Sequence, residues 1–332
     1  MEDVGSKSWR KIMGIGMRWD RGIACAKDAD PAMTPSPIPR RSLLLAGLAG
    51  GAALLATDRP ARAVAAAPLP IFDAHLHYSH DAWERLSARE AVALLRQAGL
   101  KRAMVSSSND EGTQRLHAEA PGLVLPVLRP YRTRGDQSGW LRDETVIGHM
   151  EQRLARHRYV ALGEYHVFGT EADGPVMRAV VRMARERDLV LHSHSDADAV
   201  ERQFVQWPEA RILWAHAGFD SPDNVRAMLR RHPNLWCDLA FRSDHARVEA
   251  GSGTGGRGEV DPAWRTAFLE FPDRFLVGTD TFTPERWFYV VEHARWSRAW
   301  LADLPHDVAE RIAWRNGEAL VGALAARLTA AR

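Results

Sequence analysis

From residue 68 onward the chain alternates short apolar runs with longer amphipathic segments. The apolar runs fall at residues 71–75, 102–106, 123–128, 159–164, 189–194, 212–216, 235–240 and 275–280. Each is short enough for a buried strand and too short for an ordinary helix. Between them, residues 87–97 repeat apolar positions at helical spacing (Ala91, Leu94, Leu95), and residues 175–187 do so with Val176, Val180 and Met183 behind Pro175 at a plausible first helical position. Helices are also expected at 144–157, 197–206, 222–231 after Ser221, and 262–271 after Asp261, the last two behind good capping residues. Eight strands alternating with helices over residues 68–332 match the size of a (β/α)8 TIM barrel. Periodicity alone leaves an open doubly wound sheet as the alternative. Residues 251–258, rich in glycine, and 131–139 predict loops without an element of their own.

The pattern before residue 68 is different. Residues 42–56 form one charge-free run of small and apolar side chains, preceded by Arg40 and Arg41 and followed by Ala61-Arg62-Ala63 and Ala63-Val64-Ala65. The run is shorter than the roughly 20 residues needed to span a bilayer as a helix. It resembles a twin-arginine signal peptide with small-x-small cleavage sites. Residues 33–67 are therefore expected to be such a signal, recognised by the twin-arginine translocase and removed on export to the periplasm. A mature protein without a stable membrane span is the corollary. Residues 1–32 read as an upstream extension or disordered leader, with Met33 as the real start.

Composition changes this picture by exclusion. With 45% hydrophobic and 26% charged residues in 332, the chain can bury a sizeable core, so disorder is not its main state. Lys plus Arg number 44 against 42 for Asp plus Glu and are scattered, which gives no electrostatic case for nucleic acid. Two cysteines, Cys25 and Cys237, provide neither a disulfide framework nor a thiolate metal site.

The candidate chemistry sits at the C-terminal ends of the expected strands, the face on which a barrel builds its active site. The first strand ends Asp73-Ala74-His75-Leu76-His77, and alternation puts both imidazoles on one side with Asp73 one step deeper. Gly163-Glu164 ends the fourth strand, His192-Ser193-His194 the fifth, Trp214-Ala215-His216-Ala217-Gly218 the sixth, and Gly278-Thr279-Asp280 the eighth. Alternation turns both His192 and His194 inward, with His194 the preferred ligand. Imidazoles and carboxylates at one mouth suit a divalent metal of the Zn, Fe, Mn or Co kind, zinc foremost, better than Ca or Mg. Arg129, Arg242 and Arg286 stand at or just beyond strand ends as candidates to meet a substrate carboxylate. Trp140, Trp264 and Trp287, near the same loops, suggest contact with an apolar or aromatic substrate, while His117, His157, His232, His245, His293 and His306 read as surface residues.

Taken together, Asp-Ala-His-Leu-His, Gly-Glu, the fifth-strand histidine, Trp-Ala-His-Ala-Gly, Val-Gly-Thr-Asp and the closing Ile312-Ala313-Trp314-Arg315-Asn316-Gly317 resemble the amidohydrolase superfamily, in its amidohydrolase-related (amidohydrolase 2) branch, over about residues 69–322. The resemblance implies that His75, His77, a fifth-strand histidine and Asp280 hold metal, and that His216 acts on substrate or binds a second ion. It also implies that Glu164 stands where other members place a bridging lysine, so one ion and two both stay open. The expected reaction is hydrolysis of an amide, ester or lactone of a small molecule by hydroxide held on the metal, with Asp280 as proton acceptor and His216 on the carbonyl oxygen. The alternative within the branch is nonoxidative decarboxylation of an aromatic or enoic acid. A metal-dependent nuclease lacks the basic cleft it would need, and a non-catalytic metal-binding protein would not need the proton-transfer groups.

Overall fold

The computed structural model describes residues 68–248 and 257–330. The expected leader and signal, and most of the glycine-rich 251–258 stretch, lie outside the described residues. Strands β1 (Ile71–His77), β2 (Leu100–Ser106), β3 (Val124–Leu128), β4 (Ala161–Val167), β5 (Val190–Ser195), β6 (Ile212–Trp214) and β7 (Leu235–Asp238) are followed by a small antiparallel hairpin, β8 (Ala246–Val248) with β9 (Gly258–Val260), and by β10 (Phe275–Leu276). The large sheet runs β1-β2-β3-β4-β5-β6-β7-β10 with parallel neighbours throughout. Sequential order excludes a doubly wound sheet, in which the order reverses at a switch point. The ring is closed by backbone hydrogen bonds from the segment after β10 to β1: Ala74 N to Val277 O at 2.9 Å, Asp280 N to His75 O at 2.8 Å, and His77 N to Thr281 O at 3.1 Å.

The helices form where amphipathic spacing and capping agree. Ser87 and Glu90 make a reciprocal capping box ahead of Ala88–Gln97, and Asp196, Ser221 and Asp261 each accept from the first turn of Ala197–Gln206, Pro222–Arg231 and Pro262–Glu270. Pro175 opens Pro175–Arg187, whose Val176, Val180 and Met183 are buried against the barrel as their spacing requires. Each such side chain stabilises the packing by about 1.5–3 kcal/mol relative to exposure. Helices Glu111–Glu119, Pro284–Trp287, Val290–Leu301, His306–Glu310 and Asn316–Ala330 complete the outer layer where no helix was anticipated. Residues 131–139 hold one 3-10 turn, Arg134–Ser138, in place of bare loop. Among the described residues no helix is long and apolar enough to cross a membrane.

Several side chains sit deeper than their sequence context suggests. His245 is fully buried, not superficial, and His117, His157, His232 and His293 are half-buried; of the six histidines expected at the surface, only His306 is exposed. Trp140, Trp264 and Trp287 are buried too, their indole N–H groups donating to His166 O, Asp244 Oδ2 and His77 O at 3.0, 3.1 and 3.1 Å. The substrate contact expected of Trp287 is therefore corrected: a side chain 0% exposed braces β1 from behind and meets no solute.

Candidate metal centre

β1 is buried along its whole length, and its alternation brings His75 Nε2 and His77 Nε2 to 3.1 Å from each other. One step deeper, Asp73 accepts from His75 N, Thr279 N and Thr279 Oγ1, tying the first strand to the last. Burial pushes its carboxyl up to about 6 against those hydrogen bonds. Across the barrel, Glu164 follows Gly163, whose φ is +133° and whose α-carbon lies so close to β5 that a Cβ would fall 2.1 Å from His192 O. No other residue type fits there, and this close approach sets where Glu164 enters the interior.

Glu164 Oε2 lies 3.4 Å from His75 Nε2 and 3.2 Å from His77 Nε2, and Asp280 Oδ1 lies 3.6 and 3.3 Å from the same two nitrogens. Four ligand atoms bound tetrahedrally at about 2.0–2.1 Å stand about 3.3 Å apart. The donor types fit a first-row divalent cation, and the distances from Glu164 and from Asp280 to the two imidazole nitrogens lie near that spacing. The other oxygen of Glu164 serves a second group: Oε1 is 2.7 Å from His194 Nδ1 and 3.7 Å from His216 Nε2.

The outer partners decide which nitrogens face inward. Asp238, at the end of β7, was not singled out from the sequence and is the hub of the site. Its Oδ2 accepts from His75 Nδ1 at 3.2 Å and His192 Nε2 at 3.1 Å, and its Oδ1 accepts from the backbone N–H groups of His216 and Ala240 at 3.0 and 3.1 Å. With Nδ1 donating to Asp238, His75 presents the lone pair of Nε2 to the centre, the carboxylate–histidine relay usual behind metal ligands. His77 Nδ1 pairs in the same way with Ser106 Oγ at 2.9 Å. Of the two fifth-strand histidines, His194 faces Glu164 and His192 faces Asp238. His216 donates Nδ1–H to Ala240 O at 2.7 Å, leaving Nε2 toward Glu164.

Charge follows this layout. Burial alone would lower the His75 imidazole, yet Glu164, Asp238 and Asp280 together raise it well above its ordinary value. Burial would raise the carboxyls of Glu164 and Asp280, yet the positive field of His75 above all holds both well below the usual carboxylate range. His192, pushed down to about 4 by burial and by His75, is a neutral donor.

Two of the three arginines are committed elsewhere. Arg129 donates Nε to Glu164 O and Nη2 to Glu164 Oε2, at 3.1 and 3.0 Å, and so clamps Glu164. Arg242 gives its donors to His216 O, Asp220 O and Asp244. Arg286 holds Asp280 O and Thr279 O through Nε and Nη2 at 2.8 and 2.6 Å, while no hydrogen bond of its Nη1 is found among the described residues. His166 also escaped notice, because β4 was expected to stop at residue 164; it continues through Val167 and turns His166 to the same side, 4.1 Å from the His194 ring. The signal was there in the simple alternation Glu164, His166. Tyr131 Oη accepts from His166 N–H at 2.8 Å and lies 2.9 Å from His166 Nδ1, fixing that ring.

The mouth is also where the backbone is strained. Of six non-glycine residues with positive φ among those described, five follow strands at this end: His216, Ala217 and Phe219 after β6, Phe241 after β7, and Asp280 after β10. Each such residue costs about 1–3 kcal/mol and persists only where the surroundings impose it. Gly218 shares the turn after β6, because a Cβ there would lie 2.1 Å from the Trp214 ring.

Comparison with known proteins gives one family. A family model described as Amidohydrolase matches residues 72–323. No curated protein matches the chain in sequence. Among solved structures, an uncharacterised TIM-barrel protein from Bordetella bronchiseptica is similar over 78% of this chain and 100% of its own, with 14% identity and a TM-score of 0.52. A probable 2-pyrone-4,6-dicarboxylic acid hydrolase from Acinetobacter baumannii aligns over 76% and 99% with 11% identity and a TM-score of 0.45. An amidohydrolase 2 from Bifidobacterium longum subsp. infantis aligns over 76% and 99% with 13% identity and a TM-score of 0.43.

Proposed function

The chain belongs to the amidohydrolase family, and from that premise we propose that it is a metal-dependent hydrolase opening an amide, ester or lactone carbonyl of a small molecule. The observation that carries the reading is that His75 Nε2 and His77 Nε2, 3.1 Å apart, each have Glu164 Oε2 and Asp280 Oδ1 within 3.2–3.6 Å, with Asp238 behind His75. His75, His77, Glu164 and Asp280 would hold a zinc, iron, manganese or cobalt ion, and His194 and His216 on the far oxygen of Glu164 would serve a second ion or the substrate. Such an ion supplies Lewis acidity toward a carbonyl and brings the pKa of bound water to about 7. Asp280 then accepts the proton of the attacking water and returns it to the leaving group, and His216 steadies the carbonyl oxygen.

A second reading, decarboxylation, draws support from Arg286, whose Nη1 is the donor left to meet a carboxylate. Solvent labelling separates the two. Metal analysis of the purified chain, followed by turnover of esters, lactones, amides and aromatic acids in 18O water, should find bound divalent metal and solvent oxygen in the product. A product that has lost carbon dioxide and carries no label would give the reaction to the second reading. For localisation we propose twin-arginine export to the periplasm, which replacing Arg40 and Arg41 with Lys should block, as fractionation would report.

A further inference from the structure

The large apolar side chains left in water are unevenly placed. Among the described residues, the helices of the outer layer expose only Val205 and Leu269. The other five, Phe168, Phe219, Phe241, Phe288 and Tyr289, are aromatic and stand in segments that follow β4, β6, β7 and β10 at their C-terminal ends. Single exposed apolar residues mean little, but a cluster at one opening marks a binding surface. Phe219 and Phe241 are 46% and 53% exposed and both have positive φ, so neither the core nor local backbone preference accounts for them.

Two of these rings touch histidines of the metal centre, and a third touches the arginine that holds Asp280 O. Phe219 lies nearly parallel on His216, with centroids 4.5 Å apart and planes at 16°, and stands 6.0 Å from His194. Phe168 meets His194 from the other flank at 6.1 Å. On the Asp280 side, Phe241 and Phe282 are 6.1 Å apart and both face the Arg286 guanidinium, at 4.8 and 5.6 Å, while Arg286 Nε holds Asp280 O. Aromatic rings therefore border His194 and His216 directly, and border Asp280 through the arginine that holds its carbonyl oxygen. A macromolecule seated on them would cover His194 and His216, whereas a flat group attached to the reacting carbonyl would extend toward them.

We propose that this collar is the acyl-side subsite and that it selects substrates in which an aryl or conjugated, planar group is joined directly to the carbonyl attacked. The proposal rests on the metal-dependent hydrolase reading and names the substrate class of that site. Stacking against phenylalanine faces favours a planar group over a saturated one of equal size.

Hydroxamates test this without a known substrate, because their headgroup binds the metal whatever the reaction. Calorimetry on the zinc-loaded protein should give benzohydroxamate a Kd about tenfold below acetohydroxamate, and several-fold below cyclohexanecarbohydroxamate. Phe219→Ala and Phe241→Ala should each weaken benzohydroxamate severalfold and leave acetohydroxamate within twofold. Phe219→Leu, which keeps apolar bulk without a flat face, should behave like the alanine variant and serves if that variant folds poorly. Equal affinity for all three probes overturns the collar and leaves the metal hydrolase reading standing. Cyclohexyl binding as tight as phenyl overturns the planar preference. A dimer that Phe219→Ala dissociates, without any preference among the probes, assigns the rings to a second copy and overturns the proposal. Failure to load any of zinc, iron, manganese and cobalt, or binding of no hydroxamate to loaded protein, overturns both readings.

Discussion

His75 and His245 are both almost wholly withdrawn from water, at 1% and 0% exposure, and they live in opposite company. His75 has a carboxylate behind it at 3.2 Å and two more before it, and its imidazole is raised. His245 stands at the base of the β8–β9 hairpin between Trp296 and Trp300, with ring centroids 5.2 and 5.0 Å away, and neither ring nitrogen has a hydrogen-bond partner. Burial, against a modest pull from Asp244, pushes it down to about 3. Equal depth thus yields a cation-seeking centre in one place and a neutral packing residue in the other. Burial sets the penalty for charge, and the neighbours decide whether anything is gained for it.

The contrast can be broken at its strongest point first. His75→Ala removes a donor that no neighbour replaces, so bound metal should fall far below the parent's and thermal stability should fall with it. Elemental analysis showing full stoichiometry in the variant would dissolve the distinction between the two histidines. Asp280→Asn keeps volume and one carbonyl oxygen but cannot accept a proton. It should retain much of its metal while turnover drops about 10²- to 10⁴-fold; turnover near the parent's would leave Asp280 a mere structural end to the barrel. Asp238→Asn touches no metal yet weakens the acceptor that orients His75 and His192. Metal affinity should fall about 10- to 100-fold by competition with a chelator, and an unchanged affinity would mean that β1 alone positions His75.

The smallest effect belongs to His245. Its folded-state pKa of about 3 lies below its ordinary 6.5, so between those values the unfolded chain binds a proton that the folded chain does not. Stability from this residue is complete above about pH 6.5 and is lost progressively as pH falls toward 3. His245→Phe forfeits no hydrogen bond and should match or exceed the parent at pH 7. Denaturant titrations at pH 7 and pH 5 should show the parent losing about 1–2 kcal/mol more than the variant on acidification. Equal losses would mean that His245 finds a partner when protonated.

The same contrast explains what could be read from sequence. The strands and six helices were legible because core-facing positions repeat with the period of the element, and the ligand-type residues because alternation places His75 and His77 together. Asp238 was invisible for a physical reason: a lone aspartate ending a strand looks like a helix cap, and three of its four donors come from β1, β5 and the turn after β6, remote in sequence. His245 and the three mouth tryptophans were misplaced because burial in a barrel's loop layer carries no period. The phenylalanines that do face the mouth depend on left-handed turns after β6 and β7, which neither Phe219 nor Phe241 announces, since both residues disfavour that conformation.

The seam between β1 and the segment after β10 has a temporal meaning. Asp280 N bonds His75 O, and Thr279 is held by Asp73, so two of the four converging donors come from one end of the barrel's sequence and a third from the other, more than 200 residues apart. A nascent chain that has not yet emitted its eighth barrel strand holds no such centre, whatever its first seven have achieved. Metal retention would therefore report ring closure, and a chain truncated before residue 275 should hold no metal.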